Sequence, residues 1–211
     1  CMVVIFQRFQ QFTMRTRLRM CILPSNGSGP GEFAGNIKWH LQNLIIGATR
    51  NWSKNVLEWN LASDPSYNPH TNGGCSTCEG ALTITAGYTR NVSYYIIAHA
   101  SKFVPAGSVR IASNMLNNLP NVAFKTPEGR KVLIVLNNSD VSQTFNIGFK
   151  GRKAPATLAA GAVATYGGNF FDGLPWLMIR FIDFKLNHSK PKKIPGEQRA
   201  FTISICLNIS V

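Results

Sequence analysis

The side chains with the most chemistry to offer in this chain are a cysteine pair, two histidines, a few carboxylates and a run of aromatics. Cys75-Ser76-Thr77-Cys78 sits in a glycine-rich stretch with the spacing of a metal-ligand pair. A structural zinc needs four ligands. Cys1, Cys21 and Cys206 form no second pair of that spacing, and His70 supplies only a third candidate, so no metal site is expected. Cys75 and Cys78 then read either as a tight local disulfide or as two free thiols pinning the loop. The disulfide would imply an oxidising compartment. His40 and His99 each stand among apolar neighbours, the usual setting of a hydrogen-bonded structural histidine. No glycine-rich phosphate loop and no serine flanked as in a nucleophile elbow is present.

Trp39, Trp52, Trp59 and Tyr67 lie close together in the sequence. Aromatic faces stack on the C–H faces of sugar rings, and they also fill cores. Carboxylates are scarce: Glu32, Glu58, Asp64 and Glu79 are all that the same region offers. Retaining glycoside hydrolysis uses two carboxyl groups about 5–5.5 Å apart across the scissile bond.

The elements that must position these residues follow from periodicity. Ile37, Leu41, Leu44, Ile45 and Ala48 recur at helical spacing and predict a helix over Asn36–Thr49. Val56–Leu61 is short and apolar and reads as a buried strand; Asp64–Cys78, rich in Pro, Asn and Gly, reads as loop. Ala81–Thr85 reads as a short strand and Ser93–Val104 as a helix ended by Pro105–Gly107. Val109–Ser113, Val122–Lys125, Lys131–Asn137, Thr144–Phe149 and Ala162–Tyr166 are then strands separated by Asn, Gly and Pro turns, the pattern of a β-sandwich.

The chain has 211 residues, with 22 Lys and Arg against 9 Asp and Glu, for a net charge of +13. Its 45% hydrophobic content allows a packed core, and no apolar run reaches the ~18 residues needed to cross a bilayer. Of the charge, +4 belongs to residues 1–30, where Arg8, Arg15, Arg17 and Arg19 stand without an acid; +6 is spread over residues 31–168, and +3 over residues 169–211. A nucleic-acid platform interleaves basic residues with aromatics on a folded surface. Here Phe6, Phe9 and Phe12 largely precede the arginines, so no nucleic-acid partner is expected. The first residue is Cys1 rather than Met, which reads as a fragment, a processed form or an incomplete gene.

Asn43–Pro65 (NLIIGATRNWSKNVLEWNLASDP), Gly73–Leu82 (GGCSTCEGAL) and Tyr94–Ser113 (YYIIAHASKFVPAGSVRIAS) closely resemble glycoside hydrolase family 30, especially its glucosylceramidase-like members. Val122–Asn137 (VAFKTPEGRKVLIVLN) and Ala160–Tyr166 (AGAVATY) continue the resemblance. It implies a mainly β chain: a β-sandwich over residues 67–168, preceded over residues 31–66 by the last helix and strand of an incomplete (β/α)8 barrel. Residues 1–30 and 169–211 match nothing in the family.

The resemblance also implies retaining hydrolysis of β-glycosides by two glutamates, without a cofactor. The family's acid/base glutamate lies on an earlier barrel strand. Its nucleophile lies in a Thr-Glu-x-Ser motif, to which Ser25-Asn26-Gly27-Ser28 corresponds, placing Asn26 at the nucleophile's position. Glu32 comes too late in the motif to replace it. The chain alone is therefore expected to be inactive, its parent acting on a β-glucoside or glycolipid such as glucosylceramide. Trp59 matches the family's Trp-Asn-Leu tryptophan, which lines the sugar site. The family's sandwich also recruits strands from before the barrel, so unpaired sheet edges are expected here. A secreted or lysosomal-like parent is implied, and the sequons at Asn51 and Asn91 are compatible with it. The alternative is a non-catalytic sandwich module that binds a glycan or a partner chain.

Overall fold

A computed structural model describes residues 2–7, 33–54, 56, 58, 61–74 and 76–168, and of residues 2–7 the backbone. The elements are β1 (Met2–Gln7), α1 (Phe33–His40) continued by a π-helical stretch (Leu41–Ala48), β2 (Ala62–Ser63), β3 (Leu82–Ile84), β4 (Tyr88–Arg90) and α2 (Val92–Ser101). The strands β5 (Val109–Ser113), β6 (Asn121–Lys125), β7 (Lys131–Leu136), β8 (Gln143–Phe149), β9 (Arg152–Leu158) and β10 (Val163–Gly168) follow.

The larger sheet runs β10-β7-β6-β5-β1-β8-β9 and bends at β1. On one side of that bend β5, β6, β7 and β10 pair antiparallel; on the other, β8 and β9 form an antiparallel hairpin. Alternation along β7 explains the layering, because successive side chains of a strand point to opposite faces. Leu133 and Val135 join Ala123, Ala164 and Tyr166 against Phe145, Ile147 and Leu158 from β8 and β9, forming the core between the sheets. Val132, Ile134 and Leu136 point the other way and pack with Val122, Phe124 and Val163 under Ile37, Leu41, Leu44, Ile45 and Ile96 of the helical layer. Strand β7 is thus buried along its whole length, and its unbroken VLIVL run is the composition of a strand covered on both faces.

The apolar stripe predicted over Asn36–Thr49 is buried as expected, but half of the helix is π-wound. Gly47 belongs to that winding: a Cβ there would lie 2.8 Å from the carbonyl oxygen of Gln42, five residues back. The structure departs from expectation elsewhere. No strand forms at Val56, Glu58 or Leu61; among the described residues after the helix, pairing begins with β2, which runs parallel to β3 in a small three-stranded sheet. Strand β9 was not foreseen, because Pro155 and the exposed Arg152 and Lys153 disguise it; all three suit an edge strand. Unpaired sheet edges are expected from the resemblance, but β8 has a neighbour on each side, β1 and β9.

Candidate functional site

The tryptophan-bearing stretch between α1 and β2 is anchored from beneath. Glu58 and His40 are both buried, with His40 Nδ1 3.2 Å from Glu58 Oε1. His40 continues the apolar face of α1, three residues after Ile37, so the polar ring needs a partner, and Glu58 is that partner. Val56 is buried beside it in the helical-layer core. Trp39, next along α1, meets the His40 ring edge-on at 5.3 Å and is 48% exposed. Periodicity gave no hint of the His40–Glu58 pair. The one available signal was an acid in an otherwise apolar run, Val-Leu-Glu-Trp, which demands a buried counterpart.

Past the π-helical stretch, Arg50 ties the helical layer to the sandwich. Its guanidinium donates to Ser113 Oγ at 2.9 Å, to the Ser113 carbonyl at 3.0 Å and to the Asn121 carbonyl at 3.0 Å. Trp52, at φ 66°, lays its ring 4.0 Å from the guanidinium carbon of Arg110 on β5. Arg110 is half-buried; burial first, and the nearby Arg50 charge second, push its pKa down.

The loop between β2 and β3 is organised by its polar residues. Asp64 Oδ1 accepts from the backbone N–H groups of Ser66 and Asn68, which hold its carboxyl below the ordinary range, and the Asn68–Pro69 bond is cis. Ser63 Oγ accepts from Gly80 N, and Asn91 Nδ2 donates to the Gly80 carbonyl and to Thr83 Oγ1, each at 2.8 Å. Asn91 is therefore buried with its amide nitrogen engaged, and its sequon is not presented to solvent. Asn51, in the other sequon, is exposed. Burial raises the Glu79 carboxyl above its ordinary value.

His99 has the structural role expected of it: it is 3% exposed, with Nδ1 2.9 Å from Thr165 Oγ1 of β10, and burial lowers its pKa to about 4. Cys78 is buried and disulfide-bonded. Asn26, Glu32, Trp59 and Cys75 lie outside the described residues. Trp39 and Trp52, grouped in sequence, have different partners in space, and Tyr67 is a half-buried loop residue at φ 64°. Among the described residues no three His, Cys, Asp or Glu side chains gather as a metal site. No described helix is long and apolar enough to cross a membrane.

The architecture is a two-sheet β-sandwich carrying a helical layer on one outer face. Residues 107–166 match the glycosyl hydrolase family 30 beta sandwich domain. That stretch resembles the family's sandwich, and the likeness is to the C-terminal part of family 30 proteins. It is 30% identical over 139 residues to the endo-1,6-beta-D-glucanase neg1 of Aspergillus fumigatus, covering 61% of this chain and 28% of the relative. To the lysosomal acid glucosylceramidase of Mus musculus it is 31% identical over 111 residues, covering 50% of this chain and 21% of the relative. Among solved structures the endo-beta1,6-glucanase BT3312 superposes with a TM-score of 0.63 at 30% identity, covering 69% of this chain and 33% of that one. The chain thus spans between 21% and 28% of the length of these curated relatives.

Proposed function

We propose that this chain is the C-terminal part of a retaining β-glycosidase acting on β-linked glucose, and that it supplies scaffold and sugar contacts rather than the reacting carboxylates. The match of residues 107–166 to the family 30 sandwich carries this reading. The relatives named above are two enzymes of β-1,6-glucan and one of glucosylceramide, which makes the β-glucosidic bond their shared chemistry. Of the polymer and the glycolipid, β-1,6-glucan is favoured, because it is named by both the first curated relative and the solved structure.

In this reading α1 and its π-helical continuation correspond to the last helix of the catalytic barrel, and the stretch leading to β2 stands where its last strand would run. Trp59 would then belong to the sugar site, and its neighbour Glu58 is anchored to His40. Two of the described carboxylates support a non-catalytic share: Glu58 is engaged by His40 and Asp64 by the backbone of its own loop. Acid/base and nucleophilic glutamates would come from the rest of the barrel. The disulfide at Cys78 supports a secreted or lysosomal-like parent.

The test is hydrolysis of an aryl β-glucoside and of β-1,6-glucan. The purified chain should give no product above blank, whereas a longer reading frame that joins it in-frame to a barrel with two glutamates should cleave β-1,6-glucan. Product from the chain alone, lost on Glu32→Gln, would overturn the division of labour. A longer frame that carries the barrel yet leaves every β-glucoside intact would overturn the activity. Glycan binding without hydrolysis is the second reading, favoured by the exposed Trp39 ring; retardation in a β-1,6-glucan gel that Trp39→Ala abolishes would select it.

A further inference from the structure

The second sheet has too few strands to stand by itself. Without β1 it is the β8–β9 hairpin, and a lone two-stranded hairpin is marginal in water. Yet this hairpin must hold Phe145, Ile147 and Leu158 against the other sheet. The missing support comes from Met2–Gln7. Its first four residues pair parallel to β8, Met2 with Phe145, Val3 with Asn146, Val4 with Ile147 and Ile5 with Gly148. Its last two change partner and pair antiparallel to β5, Phe6 with Ser113 and Gln7 with Ala112. One six-residue segment therefore closes the corner between the two sheets.

No local turn sets that register. Parallel pairing cannot be made by a hairpin, and residues 8–32 separate β1 from α1. What selects the position is the free edge of β8 and the character of the segment. MVVIFQ has no charge, no glycine and no proline, and Val3, Val4 and Ile5 are β-branched; the first charge, Arg8, comes just past its end. These are the features of a peptide added to a sheet edge rather than of a strand folded by its neighbours.

We propose that Met2–Gln7 is a complementing strand, and that the β8 edge, with the adjoining end of β5, is an acceptor that takes the same segment in trans as well as in cis. The occupant is this sequence itself, parallel to β8, with Val4 opposite Ile147.

Hydrogen exchange on the full chain tests it. Val4→Pro fixes φ near −65° in the middle of β1, short of the extended value that parallel pairing uses, and so works against that pairing. Protection of the Phe145–Gly148 amides should fall by at least about tenfold, while the β6 and β7 amides stay protected. A synthetic Met2–Gln7 peptide with a solubilising lysine tail should restore that protection saturably; the same peptide with proline at the Val4 position should not. Unchanged protection in Val4→Pro, or no rescue by the unmodified peptide, overturns the proposal. Should Val4→Pro fail to fold, the unmodified chain decides: the Met2–Gln7 and Phe145–Gly148 amides must open as one unit, ahead of β6 and β7. Exchange of Met2–Gln7 at open-chain rates overturns it.

Discussion

His99 connects α2 to β10 through Thr165, and its burial has a consequence that can be measured as a pH dependence. The neutral ring is favoured inside, with a pKa of about 4, against about 6.5 for an exposed histidine. Between those values the unfolded chain binds the proton and the folded chain does not. Stability is therefore lost as pH falls from about 6.5 towards 4, and this residue adds no slope above that window. The expected loss is about 2 kcal/mol by pH 5. Urea unfolding at about pH 7.5 and pH 5 should show this component in the native chain and miss it in His99→Asn, whose amide takes the position of Nδ1 beside Thr165. An equal pH dependence in both would refute the assignment. Glu58 shows the same economy at a second buried histidine: an acid in an apolar stretch is accounted for by one ring across the layer.

At the scale of elements, Arg50 is the cross-tie between the π-helical stretch and the ends of β5 and β6. Arg50→Ala leaves two backbone carbonyls and the Ser113 hydroxyl without their donor, though it also relieves the repulsion felt by Arg110. A net loss of about 1–3 kcal/mol is expected in urea unfolding. Arg50→Lys should recover only part of it, since one ammonium nitrogen can take the place of Nη1 between Ser113 Oγ and the Asn121 carbonyl but cannot also replace Nη2 at the Ser113 carbonyl; full recovery would show that charge alone matters there. Elements of this kind differ in how visibly they are written in the sequence. Strands β5 to β8 and β10 were legible because their apolar runs sit between Asn, Gly and Pro turns. Strand β9 was not, because Pro155 and its basic residues mark an edge, which resembles a loop in composition. Strand β1 was hidden by the arginines that follow it and by a pairing partner far along the chain. Trp59 was visible as one of a group of aromatics and took a role only through the family resemblance, and His40–Glu58 was not visible at all, because contact between residues distant in sequence leaves no period behind.

At the scale of the molecule, the described residues are held by two cores on opposite faces of β6, β7 and β10. Leu133 belongs to the core between the sheets and Ile134 to the core under the helices, yet they are neighbours on β7. Neither core can open without exposing the other's backbone. Leu133→Ala and Ile134→Ala should each cost about 2–5 kcal/mol and lower the midpoint of one common transition, followed by both far-ultraviolet and tryptophan signals. Two separate transitions, each moved by only one substitution, would show that the helical layer and the sandwich unfold independently. The same arrangement has a less benign side. A run of Val132, Leu133, Ile134, Val135 and Leu136 without charge, glycine or proline has the composition that stacks between chains into cross-β fibrils. In the folded molecule its edges are occupied by β6 and β10 and both its faces are covered, with Lys131 standing at its entrance. Whatever frees β7 thus releases a stretch with the composition for self-association, and intact packing on both sides is what keeps it covered.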